Sequence, residues 1–307
     1  MRVVQIAATS LALVGALAAP TALLAQAPTD GDGRGMRTVR EALERVDQFS
    51  EDQARRVNDP RLAAVLNDPR RAQDRARDQY RHPAETLALF QIDPGMTVVD
   101  YVPADGWYAR IIAPYLGPSG RYIAMGPDVT GAPEPQRNYW GGQDEKMRAS
   151  APSWNFGAAA PVSGFGTDAV PEALAGTVDR VLIFRELHNM LRNDWLHDDM
   201  LAIRKVLKPG GMVGIEQHRA KPDAPYAQTD GSKGYLRERD VIALFDLYGF
   251  DLVARSDINA NPKDTKDWPQ GVWMLPPGLR GATDETRPRM QTIGESDRMT
   301  MLFRKRD

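Results

Sequence analysis

The sequence has no cysteine among its 307 residues. That absence excludes disulfide scaffolds, thiolate zinc sites, iron–sulfur clusters and cysteine nucleophiles together. Histidine is scarce: His82, His188, His197 and His218 are the full set. No two of them stand at a His–x₃–His spacing and the carboxylates form no calcium-loop pattern, so no metal site is expected. A Gly-x-Ser-x-Gly elbow is also missing, which disfavours a serine hydrolase. Neither sign of charge dominates, with 39 Lys and Arg against 41 Asp and Glu and a net charge of −2. A chain this close to neutrality has no global electrostatic reason to bind nucleic acid or an anionic membrane.

Long apolar runs are absent after Leu24. The one such run, from Val3 to Leu24, follows Arg2, the only charged residue before Asp30, and ends in Leu23-Leu24-Ala25-Gln26-Ala27. Small residues at Ala25 and Ala27 suit a signal peptidase, with cleavage after Ala25. Ala, Thr, Ser and Gly dilute the run and no basic stop-transfer cluster follows it, so residues 1–25 read as a signal peptide and not as a retained anchor. The expectation is export to the periplasm with no stable membrane anchor after cleavage. A lipoprotein is excluded, because there is no cysteine to acylate.

What remains has the composition of an ordinary globular protein, 42% hydrophobic and 26% charged. Residues 26–36 contain Pro28 to Gly35 (PTDGDGRG), a flexible linker. Residues 37–85 form a charged, helical N-terminal extension, with Val39, Leu43 and Val46 at helical spacing. The steps Asn58-Asp59-Pro60 and Asn67-Asp68-Pro69 cut it into short helices, because the residue before proline avoids the α region and Asn and Asp suit caps.

From residue 86 to residue 307 short apolar runs alternate with amphipathic helices. Thr97 to Val102, Arg121 to Met125 and Asp179 to Phe184 read as strands, and so does Met212 to Glu216 after the tight turn Lys208-Pro209-Gly210-Gly211. Trp107 to Leu116 and Glu238 to Tyr248 read as helices, the second closed by Gly249, and a further helix follows Asn193. Phe250 to Arg255 and Thr300 to Lys305 read as a final antiparallel hairpin. The alternation implies a mostly parallel sheet covered on both faces. Gly126 to Ser163 reads as a loop with a weak strand, and Asn259 to Ser296 as a long polar segment.

Ligands of open parallel sheets bind at the carboxyl ends of the strands, where strand order reverses. The first such turn is Val98-Val99-Asp100-Tyr101-Val102-Pro103-Ala104-Asp105-Gly106-Trp107-Tyr108, which is neither G-x-G-x-x-G nor a P-loop. It resembles the first motif of class I S-adenosylmethionine-dependent methyltransferases, a strand ending in an acidic residue before a Gly-x-Gly-x-Gly turn. Asp100 takes the acidic position and Gly106 the last glycine, while Val102 and Ala104 stand where the first two glycines belong. Leu207-Lys208-Pro209-Gly210-Gly211 resembles the turn into that family's fifth strand, and Asp179 to Phe184 with Arg185-Glu186-Leu187-His188-Asn189 its fourth strand and active-site loop. More narrowly, the chain resembles a group of exported bacterial "predicted methyltransferases" of unknown substrate. The segments that carry this are Arg77-Asp78-x-Tyr80-Arg81-His82-Pro83, Arg185-x-x-His188-Asn189, Asn259-Ala260-Asn261-Pro262-Lys263-Asp264 and Gly294-Glu295-Ser296-Asp297-Arg298.

The resemblance implies a Rossmann-like class I methyltransferase sheet with an antiparallel C-terminal hairpin, S-adenosylmethionine as cofactor and a small-molecule acceptor. It places the cofactor on Asp100, Tyr101, Ala104, Asp105, Gly106, Asp128, Asp168 and Arg185. Asp105 either meets the cofactor's positive charge or N-caps the next helix. Asp128 either replaces the ribose-binding acid normally found at the end of the second strand or shapes a turn. His188, at the carboxyl end of a buried strand, is the candidate acid–base group, and His218, after the next strand, faces the same rim. The other reading of His188 is a hydrogen-bonded histidine that never titrates. Tyr80, Arg81, His82 and Glu85 either form a lid or pack the extension onto the domain. Two functions stay open: an exported methyltransferase, or a binding protein of the same fold that has lost two motif glycines and with them catalysis.

Overall fold

The computed structural model describes residues 50–307. The expected signal peptide, linker and first part of the extension lie outside the described residues. Residues Glu51–Asp307 form one compact unit.

Seven strands make one sheet: β1 Thr97–Tyr101, β2 Arg121–Gly126, β3 Val162–Gly166, β4 Val178–Phe184, β5 Leu207–His218, β6 Phe250–Ser256 and β7 Arg298–Lys305, in the order β3-β2-β1-β4-β5-β7-β6. The first five pair in parallel, and β7 runs antiparallel between β5 and β6. The sequence expectation of a mostly parallel sheet closed by an antiparallel hairpin holds. β1 is buried along its whole length, as a strand covered on both faces must be. On one face Val99, Ile123, Val181 and Val213 pack against Met200, Ile203 and Val206 of the helix Leu196–Val206 and Phe245 of the helix Glu238–Leu247. The opposite face meets Phe90, whose ring stands so close to Gly214 of β5 that a Cβ there would lie 2.5 Å from it. Glycine at this position is a packing requirement.

The expected tight turn at Lys208–Gly211 lies inside β5. Leu207 pairs with Val178 and Met212 with Arg180, so four residues bulge out opposite Asp179. The segment Gly126 to Ser163 departs further from expectation. It holds the helices Glu134–Trp140 and Gln143–Ser150 as well as β3. Pro133 and the Gly141-Gly142 pair masked them, because they read as turn signals yet serve here as helix boundaries.

The extension is fastened to the sheet domain by ion pairs and caps. Asp59 and Asp68 each cap a short helical segment through the side chain, as the Asn-Asp-Pro steps imply. Arg56 pairs with Asp93 through two nitrogens, and Arg110 of the helix Ala109–Leu116 does the same with Asp74.

The polar segment after β6 is packed, not loose. Asn259, Asp264 and Asp297 are buried. Asp264 accepts from Tyr235 Oη at 2.9 Å, Trp268 Nε1 at 2.9 Å and the Asp297 backbone N–H at 2.9 Å. Asn261 Nδ2 donates to the carbonyls of Ile293 and Glu295. Side chains here supply the hydrogen bonds that a strand ladder would otherwise supply, which is why the segment reads as loop yet stands as a wall.

Candidate active site

Strand order reverses between β1 and β4. A cavity of about 620 Å³ opens at their carboxyl ends, the place where such sheets bind ligands. One half of it lies beside the β1 turn and β2, the other beside β4, β5 and the start of β7.

In the first half the turn keeps an unusual backbone. Val102, Ala104 and Gly106 have φ of 50°, 53° and 75°. These are the three positions of the glycine motif, and all three are left-handed. Glycine takes that conformation freely, whereas other residues pay roughly 1–2 kcal/mol there. Val102 and Ala104 therefore hold a glycine-shaped turn without being glycine. Asp105 lies exposed at the mouth, and its side chain does not cap the following helix, whose first turn carries no side-chain cap.

Asp100 is 1% exposed and accepts from Tyr122 Oη at 2.7 Å through Oδ2. Its Oδ1 has no partner among the described residues. Burial pushes its carboxyl up to about 7, against the Tyr122 hydrogen bond and the charge of Arg185. Tyr101, one residue on, faces the other side of the sheet and donates to Asp199. It does not line the cavity.

The other expected acids, Asp128 after β2 and Asp168 after β3, stand outside the cavity. Asp128 Oδ1 accepts from the Thr130 backbone N–H at 2.7 Å, an Asx turn, and Asp168 is exposed in a short helical turn. Neither lines the cavity. Gln143 does, over the end of β2, where a Cβ on Gly126 would meet its Cβ at 3.3 Å. It is 3% exposed, and its Oε1 has no partner among the described residues. Sequence reasoning missed Gln143 because its helix read as loop.

In the second half His188 is 2% exposed. Its Nδ1 faces the Gln217 side-chain amide at 3.4–3.5 Å, and its Nε2 has no partner among the described residues. Burial, with Arg192 adding to it, lowers its pKa to about 3. His218 Nδ1 lies 2.6 Å from Ser296 Oγ. Burial and the neighbouring His188 push it well below its ordinary value. The two rings are 5.5 Å apart, and Trp273, carried by the wall after β6, stands 5.8 Å from His188. Both histidines are neutral at physiological pH, so they can accept or donate hydrogen bonds but carry no charge. Glu186 accepts from Asn189 Nδ2 at 2.6 Å, and burial lifts it to about 7.

A buried ionic network forms the wall behind Trp107 and Tyr108. Glu216, fully buried, receives Tyr108 Oη at 2.8 Å, Arg185 Nη1 at 3.0 Å and Arg298 Nη1 at 3.1 Å. Glu295 receives Arg77 Nε at 2.7 Å, Arg81 Nε at 3.2 Å and Arg298 Nη1 at 2.7 Å. Burial alone would raise both carboxyls; the surrounding guanidinium groups outweigh it and hold both below the usual range. Arg185 has a φ of 62°, another strained position at the cavity rim. Of the expected lid residues, Arg81 lines the cavity, whereas His82 Nδ1 faces Asn259 Oδ1 at 3.2 Å and pins the extension to the wall.

Buried polar atoms are nearly always paired, and an exception calls for an explanation. Four such atoms, on Asp100, Gln143, His188 and Asn189, belong to residues lining this one cavity. The arrangement suits a polar ligand that satisfies them. Among the described residues no cluster of three His, Asp or Glu side chains is placed to hold a metal.

No family model and no curated protein matches the sequence. Among solved structures, the fold is similar to that of the [4+2]-cyclase SpnF, at 15% identity over 84% of this chain and 95% of that one, with a TM-score of 0.50. A geranyl diphosphate methyltransferase in complex with S-adenosylmethionine aligns at 14% identity over 80% of this chain and 95% of its own, TM-score 0.49. A S-adenosylmethionine-dependent methyltransferase from Aquifex aeolicus aligns at 19% identity over 64% and 93%, TM-score 0.44. The fold is the Rossmann-like class I methyltransferase sheet with an N-terminal extension. One of these structures is named for a cyclisation, so the fold alone does not name the reaction.

Proposed function

We propose that this protein transfers a methyl group from S-adenosylmethionine to a small molecule. The observation that carries the reading is the run of left-handed φ angles at Val102, Ala104 and Gly106. A chain that keeps the backbone of a glycine turn while lacking two of its glycines keeps a shape that costs free energy, and such strain collects at functional sites. The cofactor would lie along this turn, with the free Asp100 Oδ1 toward its positive charge and Gln143 Oε1 accepting from a hydroxyl. When bound, S-adenosylmethionine supplies an electrophilic methyl on a sulfonium, already a good leaving system.

The protein's own contribution is then to align an acceptor and exclude water. Trp273 and the wall after β6 close the cavity beside His188. His188, neutral with a free Nε2, holds the acceptor's nucleophilic atom by a hydrogen bond. Arg185, tied to Glu216, keeps a fixed positive charge on the acceptor side of the turn.

A second reading is a ligand-binding protein without methyl transfer. It is favoured by Val102 and Ala104, whose side chains line the cavity where glycine would leave space, and by the lack of a carboxylate at the end of β2. Calorimetric titration with S-adenosylmethionine and S-adenosylhomocysteine separates the two. Micromolar binding of both supports the enzyme, and no binding at millimolar ligand supports the second reading. Export rests on residues 1–25 alone, and N-terminal sequencing of the protein from a periplasmic fraction tests it: a mature chain starting at Gln26 supports export, and an intact Met1 in the cytoplasm overturns it.

A further inference from the structure

The cavity wall beside Trp107 brings four guanidinium groups to two carboxylates. Arg77, Arg81, Arg185 and Arg298 share two carboxylates, Glu216 and Glu295. Arg298 is enclosed between both. Arg81 is different. It is 3% exposed and lines the cavity, and only its Nε makes a hydrogen bond, to Glu295. Its Nη1 and Nη2 have no partner among the described residues. The guanidinium lies 4.6 Å over the Trp107 ring, which fixes its plane. Arg185 uses Nη1 on Glu216 and leaves Nη2 free on the same cavity. Burial and the nearby Arg185 depress the Arg81 pKa to about 9, the mark of a cation short of counter-charge.

A buried cation without full compensation is costly. A fork of guanidinium donors fits a carboxylate or phosphate through paired hydrogen bonds. The apolar floor beside it is aromatic: Tyr108 stacks on Phe184 with ring centroids 3.6 Å apart. We propose that the acceptor is an anionic, ring-bearing small molecule whose carboxylate or phosphate seats on Arg81 and Arg185. The proposal rests on the methyl-transfer reading only for the word acceptor; the anion site stands on the arginines themselves. It also gives the extension a function, because Arg77 and Arg81 come from it and reach the cavity only when it is docked.

The test is calorimetry on the purified full chain with benzoate, phenyl phosphate and uncharged benzyl alcohol at constant ionic strength. The expected result is that at least one anion binds about tenfold or more tighter than the alcohol, as a charge-assisted pair requires. Preference for benzoate assigns a carboxylate and preference for phenyl phosphate assigns a phosphate. Arg81→Met should abolish the preference. Glu295 keeps Arg77 and Arg298 in that variant, so its charge stays compensated. Equal binding of all three probes, or an unchanged preference in Arg81→Met, overturns the proposal. Should Arg81→Met fail to fold, Arg185→Gln serves instead, since Glu216 keeps Arg298: a severalfold loss of anion affinity supports the site, and no loss overturns it. S-adenosylhomocysteine is titrated alongside. Failure of that ligand alone strikes the methyl-transfer reading and leaves the anion site standing.

Discussion

The Tyr122 hydroxyl donates to Asp100 Oδ2 at 2.7 Å, while Asp100 Oδ1, on the same buried carboxyl, has no partner among the described residues. The two side chains lie on neighbouring parallel strands, Asp100 opposite Ala124 and Tyr122 two residues earlier. The bond fixes one oxygen and leaves the other for the cavity.

This sets a pH dependence. Burial raises Asp100 from the usual carboxylate value to about 7. Its contribution to stability is therefore fully present below about pH 4 and is lost as pH rises through 7. A cationic ligand favours the ionised form. Affinity for S-adenosylmethionine should rise between pH 6 and pH 8, by up to about tenfold per unit below 7. In Asp100→Asn the affinity should be weaker and flat with pH. Calorimetry at several pH values checks this; a flat profile in the wild type would remove Asp100 from the cofactor site.

Ala104 gives a stability prediction. It is exposed and left-handed, at φ 53°. Glycine relieves roughly 1–2 kcal/mol of strain and costs about 0.5–1 kcal/mol of extra unfolded-state entropy. Ala104→Gly should stabilise the protein by about 0.5–1 kcal/mol in denaturant unfolding, and Ala104→Val should destabilise it. A loss of stability in the glycine variant would mean that the turn is not strained at this residue.

Glu216 and Glu295 make the fold acid-sensitive. Both pKa values are depressed in the folded state by surrounding arginines. Their contribution is present above about pH 4.5 and is lost as pH falls below it. The melting temperature should drop steeply between pH 5 and pH 3. Glu216→Gln should cost about 3–5 kcal/mol at neutral pH, because Arg185 and Arg298 lose a shared buried counter-charge. Thermal melts across pH would refute this if the variant matched the wild type at pH 7.

His188 should leave no mark on the pH–rate profile near 6.5. Burial holds its pKa at about 3, so it stays neutral across pH 5 to 8. His188→Ala should keep S-adenosylhomocysteine affinity and lower the methylation rate by up to about 10²-fold, as loss of a group that positions the acceptor does. Steady-state kinetics beside calorimetry reads both. An equal loss of binding and rate would make His188 a packing residue.

The strands and the order of elements were legible in the sequence because their signals are local. Thr97–Tyr101 and Val178–Phe184 are short apolar runs bounded by turns, and a run buried on both faces needs nothing from elsewhere in the chain to announce itself. The helices Glu134–Trp140 and Gln143–Ser150 were hidden for the same reason in reverse. Their proline and glycine boundaries outweigh weak internal periodicity; Gln143–Ser150 packs against β2 and β3, and Glu134–Trp140 is held by Trp140 against Trp195.

The candidate site divides along similar lines. Asp100, the turn through Gly106, Arg185 and His188 all follow strand ends, so topology alone points to them. Gln143, Arg81 and Trp273 come from an obscured helix, the extension and the polar wall, and no local pattern ties them to a cavity. Asp128 shows the converse: a carboxylate at a promising position whose side chain is taken by its own turn.

The sequence by itself determined the sheet, its closing hairpin and the turn where a ligand belongs, since alternation and spacing are properties of neighbouring residues. Only the tertiary structure decided that Val102 and Ala104 adopt the angles of glycine, and that His188 and His218 stay uncharged. It alone brought four arginines together around two buried glutamates. Backbone strain, desolvation and charge balance depend on groups far apart in the chain, and they exist only once the fold has brought those groups together.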